Sequence, residues 1–386
     1  MNELVKFIKG NMKKNGMIVA LAFIIVIFQI WTKGVLLRPL NITNLILQNG
    51  YILILAIGML PVIITGRIDL SVGSIVAFIG ALAATLMVVN KASFFVTVLV
   101  CIATGALIGV WHGLWTAYVG IPAFITTLSG TLVFRGLTIA ILKGRSIGPF
   151  TGAFRAISTN FIPDVLGGTT LNLTAIVIGL LICVFMVLKE LSSRRSNQKY
   201  GLKVVPFWFF LTRVLLMCLA IMVLIYFLAA YNGIPYLLVL LMILIVFFTF
   251  VTNNTVIGRR LYALGGNEAA ARLSGINTKR MIFFTNINVS VLAALAGIVF
   301  AARLNAGTPR AGVGFELDAI AACFIGGASV TGGTGTIAGA VIGTLIMGVM
   351  NNGMSIVGIS VDIQQAIKGL VILSAVAIDL MMKKRK

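Results

Sequence analysis

Long runs without a charged residue alternate with short polar stretches along this chain. Because a helix needs about 20 apolar residues to cross the hydrocarbon core of a bilayer, the three longest runs can each hold two helices. The runs are continuous and lack the alternation of barrel strands, so the sequence predicts an all-α, polytopic helical membrane protein. The runs cover residues 15–32, 39–66, 70–90, 92–134, 165–188, 214–258, 281–302 and 319–361.

Turn residues and basic clusters divide these runs into spans. Basic loops stay on the cytoplasmic side of a membrane, which places the N-terminus, loop 189–206, loop 252–280 and the C-terminus there and requires an even number of crossings. We expect about ten transmembrane helices, with broken or re-entrant segments near 66–71 and 326–336; twelve crossings also satisfy the parity. The expected spans are 17–32, 49–66, 71–89, 94–118, 121–141, 173–188, 207–230, 235–251, 281–302, 316–352 (interrupted) and 361–381.

Charge and composition narrow the class of protein. The chain has 386 residues, of which 60% are hydrophobic and 10% charged, and a formal net charge of +21. A basic excess of this size occurs in nucleic-acid-binding proteins, but here most Lys and Arg residues lie in short loops between apolar runs. We therefore interpret the charge as a signal for membrane orientation and lipid contact, and predict no nucleic-acid partner.

Sites for metals and for ATP are not predicted. Four scattered cysteines and a single histidine, His112, have no metal-ligand spacing, and the chain has no Gly-x-x-x-x-Gly-Lys-[Ser/Thr] motif. We accordingly predict no catalytic residue, no metal and no cofactor bound by this chain. The energy for any transport has to come from another subunit or from an ion gradient.

A weak internal repeat suggests two related halves. With an offset of 247 residues, Asp69-Leu70 coincides with Glu316-Leu317 and Gly80 coincides with Gly327. Transporters are often built from two such repeats. Glycines spaced by four also occur at 105–109 and 339–343, where they suit close helix approach, either within one copy or between two copies.

A short helix with its own capping residues is predicted in the polar stretch between two apolar runs. Asn267 suits the N-cap, Glu268 the positive end, Arg272 the negative end and Gly275 the left-handed position that ends a helix. A helix this short is unstable alone in water, so it has to pack on its own bundle or on a partner. The residues expected to contact a partner are Asn267, Glu268, Ala269, Ala270, Ala271, Arg272, Ser274 and Gly275.

Six motifs are spread over about residues 65 to 340. They are GGNEAAARLSGI at 265–276, GRIDLSVGS at 66–74, IPAFITTL at 121–128, FRG at 134–136, ELDAIAACFIGG at 316–327 and GGTGTIAGA at 332–340. Together they resemble the permease subunits of ATP-binding-cassette (ABC) importers for monosaccharides, of the xylose, ribose, galactose and multiple-monosaccharide type, in the branched-chain amino acid permease superfamily.

The resemblance implies an assembly and a mechanism. Residues 1–386 would form a single transmembrane permease domain, with 258–280 as its cytoplasmic coupling-helix loop. Two copies, or one copy and a paralogous permease, would form the pathway in a bacterial cytoplasmic membrane with both termini cytoplasmic. A separate ABC ATPase, carrying ATP and Mg, would dock on 267–275, and an extracytoplasmic sugar-binding protein would deliver the substrate.

Charged and polar residues near the broken spans are candidates for the translocation path or its gate. Charged pairs there serve either as path residues or as structural pairs and caps, and Arg67 lies close enough in sequence to neutralise Asp69. Arg135, in an otherwise charge-free run, requires a carboxylate or carbonyl partner. The path candidates are Arg67, Asp69, Phe124, Asn305, Glu316 and Asp318.

Two other functions remain open. An ion-gradient-driven secondary transporter or channel would share this topology, and the capped helix at 267–275 argues against it. Within the ABC class, a nucleoside or branched-chain amino acid permease is the alternative, and the segments at 68–71 and 316–319 fit sugar permeases better. The sequence does not identify the sugar.

Overall fold

The computed structural model describes residues 12–384, apart from residues 203 and 205. Its regular elements in this part of the chain are helices. Two isolated β-bridges also form, between Ile147 and Gly307 and between Phe161 and Pro235. The helices are α1 (Met12–Trp31), α2 (Pro39–Ile64), α3 (Val72–Ala84), α4 (Phe94–Gly113), α5 (Ala123–Leu142), α6 (Gly152–Thr159), α7 (Leu173–Lys199), α8 (Phe207–Ala229), α9 (Tyr236–Asn254), α10 (Val256–Gly266), α11 (Glu268–Leu273), α12 (Thr278–Leu304), α13 (Phe315–Ile325), α14 (Ile337–Val357) and α15 (Val361–Lys384).

The polytopic helical class predicted from the sequence is confirmed. Within the described residues, nine helices are long and apolar enough to cross a membrane: α2, α5, α7, α8, α9, α12 and α14, with α3 and α4 counted together with the wider π-helical turns that extend them to Val89 and Val119. The apolar part of α1, Gly16–Trp31, is shorter. The chain is therefore a multi-pass membrane protein.

Two boundaries differ from the predicted ones. The span predicted at 173–188 continues as α7 to Lys199, because the Lys, Glu, Arg and Gln residues that follow it favour a helix although they are charged or polar. The interrupted segment 316–352 separates into α13 and α14. At 1.5 Å per residue, the 11 residues of α13 are too short to cross a bilayer alone.

The described residues fall into two compact units. The smaller consists of 37–44 and 160–236, and the larger of the rest. In the larger unit α2 lies at the core, with 89% of its apolar window buried. α12 packs along α4, where a side chain at Gly105 or Gly109 would overlap the backbone or side chains of α12, and α14 packs on α13 in the same way through Gly339 and Gly343. Both glycine pairs thus serve packing within one copy.

The smaller unit is built around the α7–α8 pair. Gly179 of α7 faces the side chain of Ile225 on α8, and the Asn172 side chain accepts a hydrogen bond from the Ala175 amide, which caps α7. The loop before α7 is organised by the Asp164 carboxylate, which accepts hydrogen bonds from the Gly168 amide and the Thr174 hydroxyl. Only 17% of the apolar window is buried in each of these two helices.

Two broken segments meet inside the larger unit. α2 ends at Ile64, Gly66 adopts a left-handed φ of 74°, and an irregular stretch leads to the start of α3 at Val72. A second irregular stretch precedes α13. The two touch where Gly73 lies against the Gly312 carbonyl and the Glu316 carboxylate. Residues 143–150 and 303–315 also lie together, since the Phe150 amide donates to the Asn305 side chain and Ile147 forms a β-bridge with Gly307.

Candidate functional site

The short helix predicted in the polar segment is α11, and its caps form as its sequence indicates. The Asn267 side chain accepts a hydrogen bond from the Ala270 amide at 3.0 Å. Glu268 lies in the first turn and Arg272 in the last turn. Gly275 has a φ of 80°, which is the left-handed conformation that follows a helix. Local hydrogen bonds and charge placement therefore define a helix of only six residues.

One face of α11 is buried and the other is open. Ala271 is 5% exposed and rests on the bundle, whereas Asn267, Ala269, Ala270, Arg272 and Ser274 are exposed. Leu273 is 90% exposed, although a leucine side chain gains free energy by burial. Leu273 is not among the residues that the sequence predicted to contact a partner. Each residue turns a helix by about 100°, so the position two after a buried Ala271 has to face outward.

The helices α10 and α11 form a segment, hereafter the coupling segment (residues 256–275), that touches two other parts of the larger unit. The first contact is at Gly265, where any side chain would overlap the carbonyl oxygen of Ile64 at the end of α2. The Gly333 amide donates to the same carbonyl at 2.8 Å. Three backbones therefore meet at this point, and only glycine fits there.

A second contact is made by Tyr262. Its hydroxyl donates to the Gly335 carbonyl at 2.7 Å, in the loop between α13 and α14. Burial raises the pKa of the Tyr262 phenol above its ordinary value, so the hydroxyl keeps its proton and remains a donor. The coupling segment is thus attached both to the end of α2 and to the loop that follows α13.

Arg67 links α11 to the first broken segment. Its guanidinium contacts the Glu268 carboxylate at 2.9 Å and donates to the Thr65 carbonyl at 2.9 Å. The expectation that Arg67 would neutralise Asp69 is wrong, because the arginine points towards α11 instead. The ion pair joins residues 201 positions apart, which sequence spacing could not indicate.

Asp69 stabilises the irregular stretch before α3. It is fully buried, and its Oδ1 atom accepts hydrogen bonds from the Ser71 amide and the Ser71 hydroxyl at 2.7 and 2.6 Å. Two threonines of α5 bind the next residue: the Leu70 amide donates to the Thr127 hydroxyl, and the Thr131 hydroxyl donates to the Leu70 carbonyl. The stretch 66–71 is therefore held in place on both sides.

Three other path candidates, Asp318, Asn305 and Phe124, lie in different parts of the larger unit. Asp318 is buried and pairs with Lys368 of α15 at 3.0 Å. Asn305 follows α12 in a left-handed conformation, and its side-chain oxygen accepts a hydrogen bond from the Phe150 amide. Phe124 is exposed at the start of α5. The structure brings Asp69 and Glu316 into neighbouring segments, and their role in a path stays a prediction.

Arg135 has carbonyl partners, which the sequence required but could not identify. Its Nη1 atom donates to the carbonyls of Pro309 and Ala311 at 3.0 and 2.6 Å. This arginine therefore ties α5 to the irregular stretch before α13. Among the described residues, no group of three or more His, Cys, Asp or Glu side chains could hold a metal ion.

Comparison with known proteins gives close relatives along almost the whole chain. The family model described as branched-chain amino acid transport system / permease component matches residues 41–376. The chain is 40% identical to the xylose transport system permease protein of Haemophilus influenzae, over 97% of this chain and 98% of that protein. It is 38% identical to the xylose transport system permease protein of Escherichia coli K12, over 97% of this chain and 93% of that protein.

A second group of relatives is named for ribose. The chain is 34% identical to the ribose import permease protein of Bacillus subtilis, over 96% of this chain and 94% of that protein. No solved structure matches the chain significantly.

Proposed function

Because this chain belongs to the branched-chain amino acid transport system permease family, and within it resembles the monosaccharide permeases of ABC importers, we propose that it is the membrane-spanning subunit of an importer that carries a monosaccharide into the cytoplasm. The relatives reported above are named for xylose and ribose, which supports a sugar over an amino acid or a nucleoside. The observation that carries the proposal is the outward face of α11, where the Leu273 side chain is 90% exposed among the described residues.

The proposed assembly contains two permease copies, a separate ABC ATPase and an extracytoplasmic sugar-binding protein. The ATPase holds ATP and Mg, and this chain performs no covalent chemistry. Its residues 1–386 act as one permease domain in a bacterial inner membrane, with the basic segments and both termini cytoplasmic. In this arrangement α11 projects from the cytoplasmic face, and the ATPase closes on it.

Docking uses the exposed residues of α11. Ala269 and Ala270 are small enough for the surface of a partner to approach the helix closely, and Leu273 supplies an apolar side chain that a pocket can bury. Ala271 faces the bundle and serves to seat the helix. Because α11 is too short to persist alone, its contacts on both faces determine its position.

Movement of α11 can reach the broken segments by two routes. One route runs from Glu268 through Arg67 to the stretch that contains Asp69. The other runs from Tyr262 and Gly265 through the loop 332–335 to α13, which begins beside Gly73. Both routes end where Asp69 and Glu316 lie in adjoining segments. A rigid shift of the coupling segment would therefore displace both broken helices together, as an alternating-access switch requires.

The test separates docking from folding. Ala270→Trp combined with Leu273→Asp should leave the permease inserted and should lower sugar uptake by about tenfold or more, which corresponds to a loss of about 1.4 kcal/mol in coupling. The measurements are uptake of radiolabelled pentoses and hexoses and ATP hydrolysis in proteoliposomes containing the complex. Leu202→Asp is the matched control, because Leu202 is also exposed in a basic loop predicted to be cytoplasmic. Normal uptake by the double variant, or equal loss in the control, would refute the docking role.

A further inference from the structure

A cleft opens beside the coupling segment, between α10 and the beginning of α12. Its volume is about 480 Å³, and it is distinct from the open face of α11. The side chains that form its walls come from both helices and from the turn between α11 and α12. They include Ile257, Arg260, Asn277, Arg280, Met281 and Phe284.

The lining of the cleft is positively charged. Arg260 and Arg280 approach it from α10 and α12, and both are exposed. Within the described part of the chain, neither arginine lies within ion-pairing distance of a carboxylate, and the nearby Glu268 is already paired with Arg67. Two guanidinium groups in the lining of one cleft favour a ligand with an anionic oxygen cluster, because their N–H groups match phosphate geometry.

The lining of the cleft also contains exposed apolar side chains. Ile257 is 58% exposed and Phe284 is 49% exposed. Phe284 lies in the second turn of α12, a helix long and apolar enough to cross a membrane. The Arg280 guanidinium lies over the Phe284 ring, 5.5 Å from its centroid. Charged and apolar groups are therefore direct neighbours in this cleft.

We propose that this cleft binds an anionic phospholipid, with the headgroup phosphate between Arg260 and Arg280 and an acyl chain along Ile257 and Phe284. Two arginines beside exposed apolar side chains match an amphiphile, whereas an acidic side chain of a partner protein would leave the apolar side chains uncovered. Basic pockets at the cytoplasmic border of transmembrane helices are suited to such headgroups.

The position of the cleft gives the lipid a regulatory role. Arg260 lies on α10, before α11, and Arg280 lies on α12, after α11, so one bound phosphate links the two helices that flank α11. An occupied site holds α10 against α12 and keeps α11 presented to its partner. The site itself requires only a membrane-embedded chain and does not rest on the proposed sugar import.

The test measures lipid retention by the purified full-length chain in detergent. Native mass spectrometry with added phosphatidylglycerol or phosphatidylcholine should show preferential retention of phosphatidylglycerol. In the variant Arg260→Gln/Arg280→Gln, retention of phosphatidylglycerol should fall about tenfold, as expected when one strong contact to the phosphate is lost. The matched control is Arg259→Gln/Lys279→Gln, which removes the same charge from neighbouring exposed residues outside the cleft and should retain the lipid.

Several outcomes would overturn the proposal. Equal loss in both double variants would mean general charge attraction, and equal retention of both lipids would mean an apolar groove without headgroup selection. Full displacement of the lipid by millimolar inorganic phosphate would mean a free-anion site. Loss of a co-purified protein with unchanged lipid would assign the cleft to a protein interface.

A conservative variant keeps the test decisive if the double variant does not fold. Arg280→Lys retains the charge but removes the bidentate fork, so phosphatidylglycerol retention should fall by about threefold. Unchanged retention in Arg280→Lys, with an unchanged unfolding temperature, would contradict the assignment of Arg280 to the phosphate.

Discussion

The interior of the larger unit and the α7–α8 pair of the smaller unit are both apolar, but they are assembled differently. In α2, 89% of the apolar window is buried, against 17% in α7 and in α8. The larger unit brings backbones into direct contact through glycine, whereas α7 and α8 meet through side chains. Hydropathy alone does not distinguish a helix that packs among other helices of the chain from one whose side chains stay mostly exposed.

The two kinds of contact differ in how well they transmit movement. Backbones in contact at Gly265, Ile64 and Gly333 cannot move independently, since any separation breaks the Gly333–Ile64 hydrogen bond. The nearest contacts of Gly179 on α8 are side-chain atoms of Ile225, so a small shift between α7 and α8 breaks no backbone hydrogen bond there. We therefore expect perturbations at the coupling segment to affect transport far more than similar perturbations in the smaller unit.

The largest difference is expected between two glycines. Gly265→Ala should abolish sugar uptake and lower the stability by about 1–3 kcal/mol, because its methyl group would meet backbone atoms that cannot rotate away. Gly179→Ala should cost less than about 1 kcal/mol, since its nearest contacts are side-chain atoms of Ile225 and alanine gains about 1 kcal/mol of helix propensity over glycine, which offsets the local shift. Thermal unfolding of the purified protein and uptake in cells measure both. Similar losses in the two variants would contradict the contrast.

A smaller difference is expected between two ion pairs. Glu268→Lys should reduce uptake several-fold, and the swap Arg67→Glu/Glu268→Lys should restore most of it, while the stability changes by less than about 1 kcal/mol because the pair is partly exposed. Arg213→Glu/Glu190→Lys is the matched swap in the smaller unit. Neither it nor Glu190→Lys alone should alter uptake. Failure of the first swap to rescue uptake would show that the Arg67–Glu268 contact transmits nothing.

The smallest effect is expected in the loop before α7. Hydrogen bonds from Thr174 and from three backbone amides hold the pKa of Asp164 below its ordinary value of 3.8. The charged form is therefore stabilised by folding: its contribution is complete above the ordinary pKa and is lost as the pH falls through the lowered value.

Asp164→Asn should accordingly speed hydrogen exchange in residues 164–174 at neutral pH and leave uptake unchanged. Thr174→Ser retains the hydroxyl and should behave like the original protein. A large loss of uptake in Asp164→Asn would place this loop in the transport cycle and weaken the contrast between the units.

Local features of the fold and the coupling segment could be predicted from the sequence. The caps of α11 follow from residues within nine positions of one another, and the apolar runs follow from the thickness of the bilayer. The end of α7 at Lys199 was missed because charged residues were assigned to a loop, although Lys, Glu and Arg are good helix formers.

Tertiary partners could not be predicted in the same way. The Arg67–Glu268 pair and the Arg135 contacts to Pro309 and Ala311 join residues far apart in sequence, and their identities depend on how the helices pack. The internal repeat aligned Asp69 with Glu316, but Asp69 lies before the start of α3 whereas Glu316 lies in the first turn of α13. A single sequence does not indicate which residues come into contact when they are this far apart along the chain.

If α11 transmits the movement of an ATP-hydrolysing partner, it has to contact that partner. Cross-linking from Leu273, which is 90% exposed, measures this contact directly. A photoreactive phenylalanine analogue at position 273, and another at position 202, are introduced into the full-length permease in cells that express the ATPase. We predict an adduct with the ATPase from position 273 and none from position 202. No adduct from position 273, in a complex that still transports sugar, would contradict the account.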